Sequence, residues 1–406
     1  PEYKWERDDL DPSFFMLEEI DMYTAWRKKV IEYKPDVIIS SIVEDTYYLW
    51  LKFMDQIEDQ NFISVVGGVF VTYYPQIFDG QVDYICRGEG DEVIPELMDL
   101  ISDNKDGHHL ANIYPNDMRP AIDVNTLPST DHEIFDKRSL YRPFQGRIIK
   151  VATVETQRGC PFRCKFCNSP SNARLYKEDT DSLFFRHRSV EHIEKEIQHL
   201  IKTIDVEFLW IVTDTLLTTS KKKFDDFCDM YSKYKIPFFA QTRPELLTPH
   251  QAKRLVEIGC EKLNMGVEHG DPKFRKDIIG RVYDNQKAID AFRIAREAGL
   301  NTTCNFIVGY PYETMENCMK SVDLAAQLGC DDTNAFIFTP YHGTPMRDMC
   351  VDAGFIDKDL IVEMRSDDQG SFLDMPKPYM SKKDIQYMFN NFVRLFRERE
   401  RAIMSS

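Results

Sequence analysis

The 406-residue chain sets 51 Lys and Arg against 67 Asp and Glu, a formal net charge of −16, which argues against a general nucleic-acid partner needing a basic face. Its length is enough for two or three domains, and its 43% apolar content can supply a sizeable core. No run of 18 apolar residues occurs, so no transmembrane helix is expected. Ten cysteines in so long a chain are no disulfide scaffold.

The opening residues are polar and charged rather than a signal peptide. The chain starts at Pro1 without Met, so a preceding segment is expected. Residues 14–33 predict a helix, with Phe15, Leu17, Ile20, Tyr23, Trp26 and Val30 on its apolar stripe. Lys34-Pro35-Asp36 closes it. Strand-type runs follow at 37–41, 62–66 and 84–86, alternating with helical periodicity at 46–57 and 91–100. That alternation predicts a parallel, doubly wound sheet over residues 1–110. In such sheets ligands bind beyond the carboxyl ends of the strands. Those ends carry Ser40 and Ser41, then Gly67 and Gly68, then Gly88-Glu89-Gly90. Tight turns are the plain reading of these glycines. Residues 111–147, punctuated by Pro115, Pro120, Pro128 and Pro143, predict an extended connector.

An apolar run from Ile148 to Val154 then leads into Arg158-Gly159-Cys160-Pro161-Phe162-Arg163-Cys164-Lys165-Phe166-Cys167. Three cysteines so close in one loop can ligate three irons of a [4Fe–4S] cube and leave the fourth iron open. A structural zinc site would want four ligands, usually in paired knuckles, and the nearest histidine is His187. A disulfide would leave one thiol over. The other seven cysteines, Cys86, Cys228, Cys260, Cys304, Cys318, Cys330 and Cys350, read as small buried hydrophobes. The cluster loop implies a reducing cytoplasm.

From this loop to residue 340 strand and helix alternate about six times. Strands are expected at 149–155, 206–212, 237–241, 262–268, 302–308 and 333–339. Helices are expected at 190–202, 221–233, 248–258, 284–298 and 313–328. Residues 148–340 thus predict a partial (β/α)6 barrel, whose chemistry would sit at the carboxyl ends of its strands. Asn168 to Arg188 is read as a long βα loop over a ligand or as a solvated basic loop. Residues 341–406 form a C-terminal extension with helical period from Lys382 to Phe396, and residues 397–406 are expected to fray.

Cys160-x3-Cys164-x2-Cys167, with aromatic Phe166 before the last cysteine, resembles the signature of the radical S-adenosylmethionine (SAM) superfamily. The resemblance implies that the three cysteines hold a [4Fe–4S] cluster, that SAM chelates its open iron, and that reductive cleavage gives a 5′-deoxyadenosyl radical. By family position Thr213 and Asp214 receive the SAM amino group, although Asp214 equally suits a helix cap. Arg243 suits the SAM carboxylate or a structural ion pair. Gly266-Val267-Glu268 resembles the family's ribose motif, with Glu268 as acceptor, and His269 lies behind it or at the surface. Asn305 to Thr314 resembles a Gly-x-Ile-x-Gly-x-x-Glu element with Asn305 at the first glycine. Val308 and Gly309 would then pack on adenine, and Glu313-Thr314 would start a helix. The turn from Pro340 to Pro345 resembles one in cobalamin-type and methylthiotransferase-type members, and its Tyr341 and His342 either reach substrate or serve the turn.

The N-terminal pattern of Lys34 to Ile38, Val66-Gly67-Gly68 and Asp83 to Gly90 resembles the second half of a cobalamin-binding domain, so the Rossmann-like unit reads as partial. The resemblance implies that Ser40, Ser41, Gly67 and Gly68 line the pocket for the cobalamin tail. The Asp-x-His-x-x-Gly motif that ligates cobalt is absent. The expected function is cobalamin-dependent radical methylation of an unactivated carbon in an organic substrate, with flavodoxin or ferredoxin as reductant. Cyclisation or rearrangement without methyl transfer is the first rival. An iron–sulfur redox or sensor protein that never cleaves SAM is the second.

Overall fold

The computed structural model describes residues 20–365 and 370–405. The expected helix over 14–33 appears there as α1 (Met22–Tyr33), capped by the Asp21 carboxylate on the N–H groups of Tyr23 and Thr24 and ended by Lys34 in the left-handed region. Residues 14–19 lie outside the described residues. A three-stranded parallel sheet follows, ordered β1 (Val37–Ser41), β2 (Ile63–Gly67), β3 (Tyr84–Ile85). Its helices are α2 (Tyr47–Asp55), α3 (Val69–Tyr73) and α4 (Val93–Ser102). Asp83 pins β2 to the segment entering β3, since its carboxylate accepts from both the N–H and the hydroxyl of Ser64, each at 2.7 Å.

The second sheet has seven strands. They are β4 (Tyr141–Phe144), β5 (Arg147–Glu155), β8 (Phe208–Val212), β9 (Phe238–Thr242), β10 (Cys260–Glu268), β11 (Thr302–Val308) and β12 (Asp332–Ile337), in spatial order β12-β11-β10-β9-β8-β5-β4. A two-stranded ribbon, β6 (Gln157–Arg158) with β7 (Arg186–His187), stands outside it. The six strands expected from periodicity are all present and parallel, curled into a half barrel. Strand β4 comes from the expected connector and pairs antiparallel with β5. It turns through Gln145-Gly146, both at positive φ (48° and 79°), which suits the twist of a two-residue hairpin. Pro143 is tolerated because β4 is an edge.

Helices α6 (Val190–Ile204), α7 (Lys221–Tyr231), α8 (Pro249–Glu257), α10 (Asn285–Ala298) and α11 (Met315–Leu328) cover the convex face. A short turn, α9 (Pro272–Phe274), runs into a π-helical stretch, Arg275–Ile279. One side of each strand is closed in the core, as at Leu209, Ala240, Leu263, Met265 and Phe306. Trp210, Gln241, Asn264, Asn305 and Asn334 alternate with them and stay half-buried or exposed. The concave face is therefore the polar, accessible one.

Two expectations need correction. Residues 168–188 are not a loop: α5 (Asn168–Thr180) begins directly after Cys167. Its buried positions are Ser169, Ser171 and Tyr176, and only a small cluster of Tyr176 with Ala173 and Leu175 packs it on Met118 and Phe184, too little for an apolar stripe to announce it. The turn after β12 opens α12 (Pro345–Asp352), with Thr344 as cap and Pro345 at the first position. The C-terminal helix α13 runs from Lys382 to Met404 instead of fraying at 397. It packs against α11, β11 and β12, stacking Phe392 on Phe306 at 5.3 Å, and the Arg394–Glu398 pair extends its last turns.

Candidate active site at the carboxyl ends of the barrel strands

The cysteine loop leaves β5 through Gln157 and Arg158. Gln157 anchors it to the next strand end: its amide donates to the Thr215 carbonyl at 3.0 Å and its oxygen accepts from Thr218. Arg158 ties it to the N-terminal unit through Glu89 and Asp91, both at 2.8 Å, and Arg186 grips the same Glu89. The chain then turns at Gly159 (φ 86°), where a Cβ would stand 2.9 Å from the Phe184 carbonyl oxygen. Only glycine fits there. The far side is held by backbone bonds from Lys165 N–H to the Ile279 carbonyl and from Met346 N–H to the Lys165 carbonyl.

Cys164 is buried, while Cys160 and Cys167 are partly accessible. Burial pushes the Cys160 and Cys167 thiols up to about 11 and about 12. Cys167 is also the N-cap of α5 and accepts from Ser169 N–H at 3.4 Å, so its sulfur sits at the positive end of a 13-residue helix. Cys164 accepts from two guanidiniums, Arg281 Nε at 3.2 Å and Arg243 Nη1 at 3.5 Å. These N–H groups and cations suit anionic sulfur, as a cluster requires.

The remaining predicted residues gather around this loop. Phe166 faces Tyr310 at 6.1 Å between ring centres. Thr213 is 4% exposed, and its hydroxyl is buried without a partner among the described residues, a vacancy in the hydrogen-bond accounting that a ligand amine or hydroxyl would fill. Asp214 accepts from the Ser169 hydroxyl at 2.7 Å; α7 is capped by Ser220 instead. Arg243 stacks on Phe162 at 3.7 Å and gives Nε to Glu245 at 2.7 Å, so its fork is already engaged. Glu268 is buried at φ 70° and paired with Arg281 at 3.1 Å. Burial raises its pKa above the usual carboxylate value, against the pull of Arg281. Asn305 accepts from Asn334. The Val308 side chain is buried in the core, and Gly309 faces Ile385 of α13, which a Cβ would meet at 2.7 Å. This turn therefore offers backbone, not side chains, to the site.

Sequence reasoning missed two residues here. Glu313, expected to begin a helix, clamps the turn after β11: its buried carboxylate accepts from the N–H groups of Gly309 (2.6 Å) and Tyr310 (3.1 Å), with His269 Nε2 at 3.1 Å. Thr314 is the true cap. The glutamate four residues beyond Gly309 was the available signal. Arg281 had none, lying 13 positions beyond Glu268 in a stretch without a motif. Tyr341 and Phe166 line a cavity of about 420 Å³ with Ile307, Phe336, Phe338 and Met364. His342 instead serves the junction between the two units, with its ring on Tyr74 (4.6 Å) and both its N–H and Nδ1 on the Glu44 carboxylate.

Ser40, Ser41, Gly67 and Gly68 do share one sheet edge, with Ser41 opposite Gly67. Gly68 (φ 105°) is required because a Cβ would stand 2.7 Å from the Ile42 backbone, and a Cβ at Gly67 would already be in contact with Cys86.

The sequence profile of the radical SAM superfamily matches residues 154–325. An uncharacterised methyltransferase of Pyrococcus horikoshii is 27% identical over 78% of this chain and 70% of its own length. The anaerobic magnesium-protoporphyrin IX monomethyl ester cyclase of Rubrivivax gelatinosus is 24% identical over 81% of this chain, which spans only 60% of the cyclase. Among solved structures, the radical SAM methyltransferase TsrM of Kitasatospora setae, with cobalamin and a [4Fe–4S] cluster, shares the fold at TM-score 0.64 and 16% identity over 93% of this chain and 74% of that one. The cobalamin-dependent radical enzyme OxsB, with aqua-cobalamin, does so at TM-score 0.59 and 18% identity, over 93% of this chain and half of OxsB. The match falls on β5 to α11, the part that carries the cysteine loop and the strand ends around it, so this stretch of the chain is a radical SAM domain.

Proposed function

We propose that this chain is a radical SAM enzyme whose cluster is held by Cys160, Cys164 and Cys167, and that it methylates carbon in an organic substrate. The observation that carries the reading is the loop itself: three thiols at the carboxyl ends of a half barrel, with guanidiniums on one sulfur and a helix N-terminus on another. When bound, the cluster supplies the electron that cleaves SAM to a 5′-deoxyadenosyl radical. The chain's own residues bind and orient. Thr213 presents an unpartnered hydroxyl at the end of β8. Glu268 offers its carboxylate at the end of β10 for ribose hydroxyls. The backbone of Val308 and Gly309, fixed by Glu313, forms the wall for adenine. The cavity beside Phe166 receives the substrate, with aromatic and aliphatic side chains and the charged Asp45, Glu363 and Arg365 along its wall.

Cobalamin dependence is the finer part of this reading. It is supported by TsrM and OxsB, which carry cobalamin on a similar fold. Cyclisation without methyl transfer is the second reading, favoured by the cyclase among the relatives.

Anaerobic reconstitution with iron and sulfide tests the core of the proposal. Four irons per chain and 5′-deoxyadenosine formation under reduction are expected. Loss of iron in C160A, C164A and C167A would follow, and iron retained in all three would overturn the ligand assignment. Cobalt near one per chain, with S-adenosylhomocysteine among the products, supports methyl transfer. 5′-Deoxyadenosine without S-adenosylhomocysteine favours cyclisation.

A further inference from the structure

Cys164 stands apart from its two neighbours. Its sulfur meets two cationic donors, whereas Cys167 meets a backbone N–H. The nearer cation, Arg281, does more than touch sulfur. Its Nη1 donates to the Gly266 carbonyl at 2.5 Å, and Nη2 lies 3.1 Å from Glu268 Oε1. Both side chains are under 10% exposed. One guanidinium therefore spans the distance from a cluster cysteine to the carboxylate that ends β10.

The backbone is built to allow this. Glu268 takes a left-handed φ of 70°, and a bulge shifts the register of β10 against β11 between Gly266 and Glu268. At Gly266 a Cβ would stand 2.3 Å from Glu268 Oε1. The carboxylate thus folds back over a bare glycine towards Arg281. A non-glycine residue in that conformation costs energy and persists only where its surroundings hold it.

We propose that Arg281 is a positioning residue that sets the reduction potential of the cluster through Cys164, with Glu268 as its opposing counter-charge. The inference rests on the cluster reading above. An electron added to the cluster increases the negative charge on its sulfurs, so a charge-assisted N–H···S bond stabilises the reduced state and raises the potential. Glu268 acts in the other direction, because its carboxylate neutralises the same guanidinium. Arg243 is the weaker partner, since its contact to sulfur is longer, 3.5 Å against 3.2 Å.

The test is a redox titration of the reconstituted protein, following the reduced cluster by electron paramagnetic resonance, on wild type, R281Q and E268Q. At a fixed solution potential the R281Q cluster should be about tenfold less reduced, equivalent to 59 mV for a one-electron couple. The E268Q cluster should shift the opposite way. Opposite signs are the signature, since a merely structural Arg281 would lower cluster content without displacing the potential of those clusters that form. Equal potentials, or shifts of the same sign in both variants, overturn the inference. If R281Q fails to take up iron, the sign for E268Q decides alone. If wild type itself binds no iron and sulfide, the cluster reading falls and this inference with it, an outcome distinct from a normal cluster with an unmoved potential.

Discussion

Removing the Glu313 carboxylate should unfasten the turn that follows β11. The side chain is fully buried and accepts from two backbone N–H groups at 2.6 and 3.1 Å, with His269 against its other oxygen. In Glu313→Ala both N–H groups lose their acceptor in a site closed to water. Hydrogen bonds to a charged group are worth about 1.5–3 kcal/mol each, so the two together predict a loss of about 3–6 kcal/mol. Glu313→Gln keeps an acceptor oxygen and the volume, and should lose less than half as much. Anaerobic urea denaturation followed by tryptophan fluorescence would measure both. The KM for SAM should rise in the same order, because this turn is the proposed adenine wall. An Ala variant within 1 kcal/mol of wild type would show that the carboxylate is not what holds the turn, and the argument from its geometry would fail.

Other outcomes follow from the loop and its supports. Arg158→Ala removes the ion pairs to Glu89 and Asp91 and leaves Glu89 to Arg186 alone, so it should destabilise by about 1.5–3 kcal/mol, the range for a hydrogen bond to a charged group, and lower cluster content on reconstitution. Gly159→Ala forces a left-handed alanine, costing about 1–2 kcal/mol, and drives its Cβ to 2.9 Å from the Phe184 carbonyl oxygen, so poor cluster retention should appear even where the fold survives. The pH dependence has a definite sign at Glu89: burial alone would raise its pKa, but Arg186 and Arg158 outweigh that and hold it below the ordinary carboxylate value. A carboxylate with a depressed folded pKa contributes stability that is present above its unfolded value near 4.5 and is lost as pH falls through the folded one. Acid unfolding curves of wild type and Glu89→Gln should therefore converge below pH 4; a constant gap down to pH 3 would contradict this.

The parts visible in the sequence were those with a strong local period or a dense motif. The barrel strands announced themselves because one face is packed and the other lines an accessible hollow, giving runs such as Leu263-Asn264-Met265-Gly266-Val267. The cysteine loop was legible because its three sulfurs are local in sequence. Helix α5 was not, since it is held by Tyr73 bonding Asn172 and by the Tyr176 hydroxyl accepting from Glu89 N–H, contacts that span 87 to 99 positions and leave no stripe of apolar residues. Arg281 and Glu313 were missed for a related reason: each acts through partners that only the folded chain assembles. The glycines at the end of β2 suggested a ligand edge, and at Gly68 the close approach of the Ile42 backbone adds a reason of its own for glycine.

The junction between the two sheets has a mechanical consequence. The Rossmann-like unit is pinned to the barrel by Glu89 on Arg158 and Arg186, by Tyr73 on Asn172, and by Glu44 on His342, Arg347 and the Val362 N–H. Against these clasps one stretch of the connector is slack: residues 131–139 are mostly exposed, with Ile134 and Phe135 turned to solvent. Continuity of the polypeptide is thus not what keeps the units together. A protease nick near Phe135 should leave two fragments that co-elute under native conditions and part only in denaturant, and the cysteine loop should keep its shape in the clipped protein.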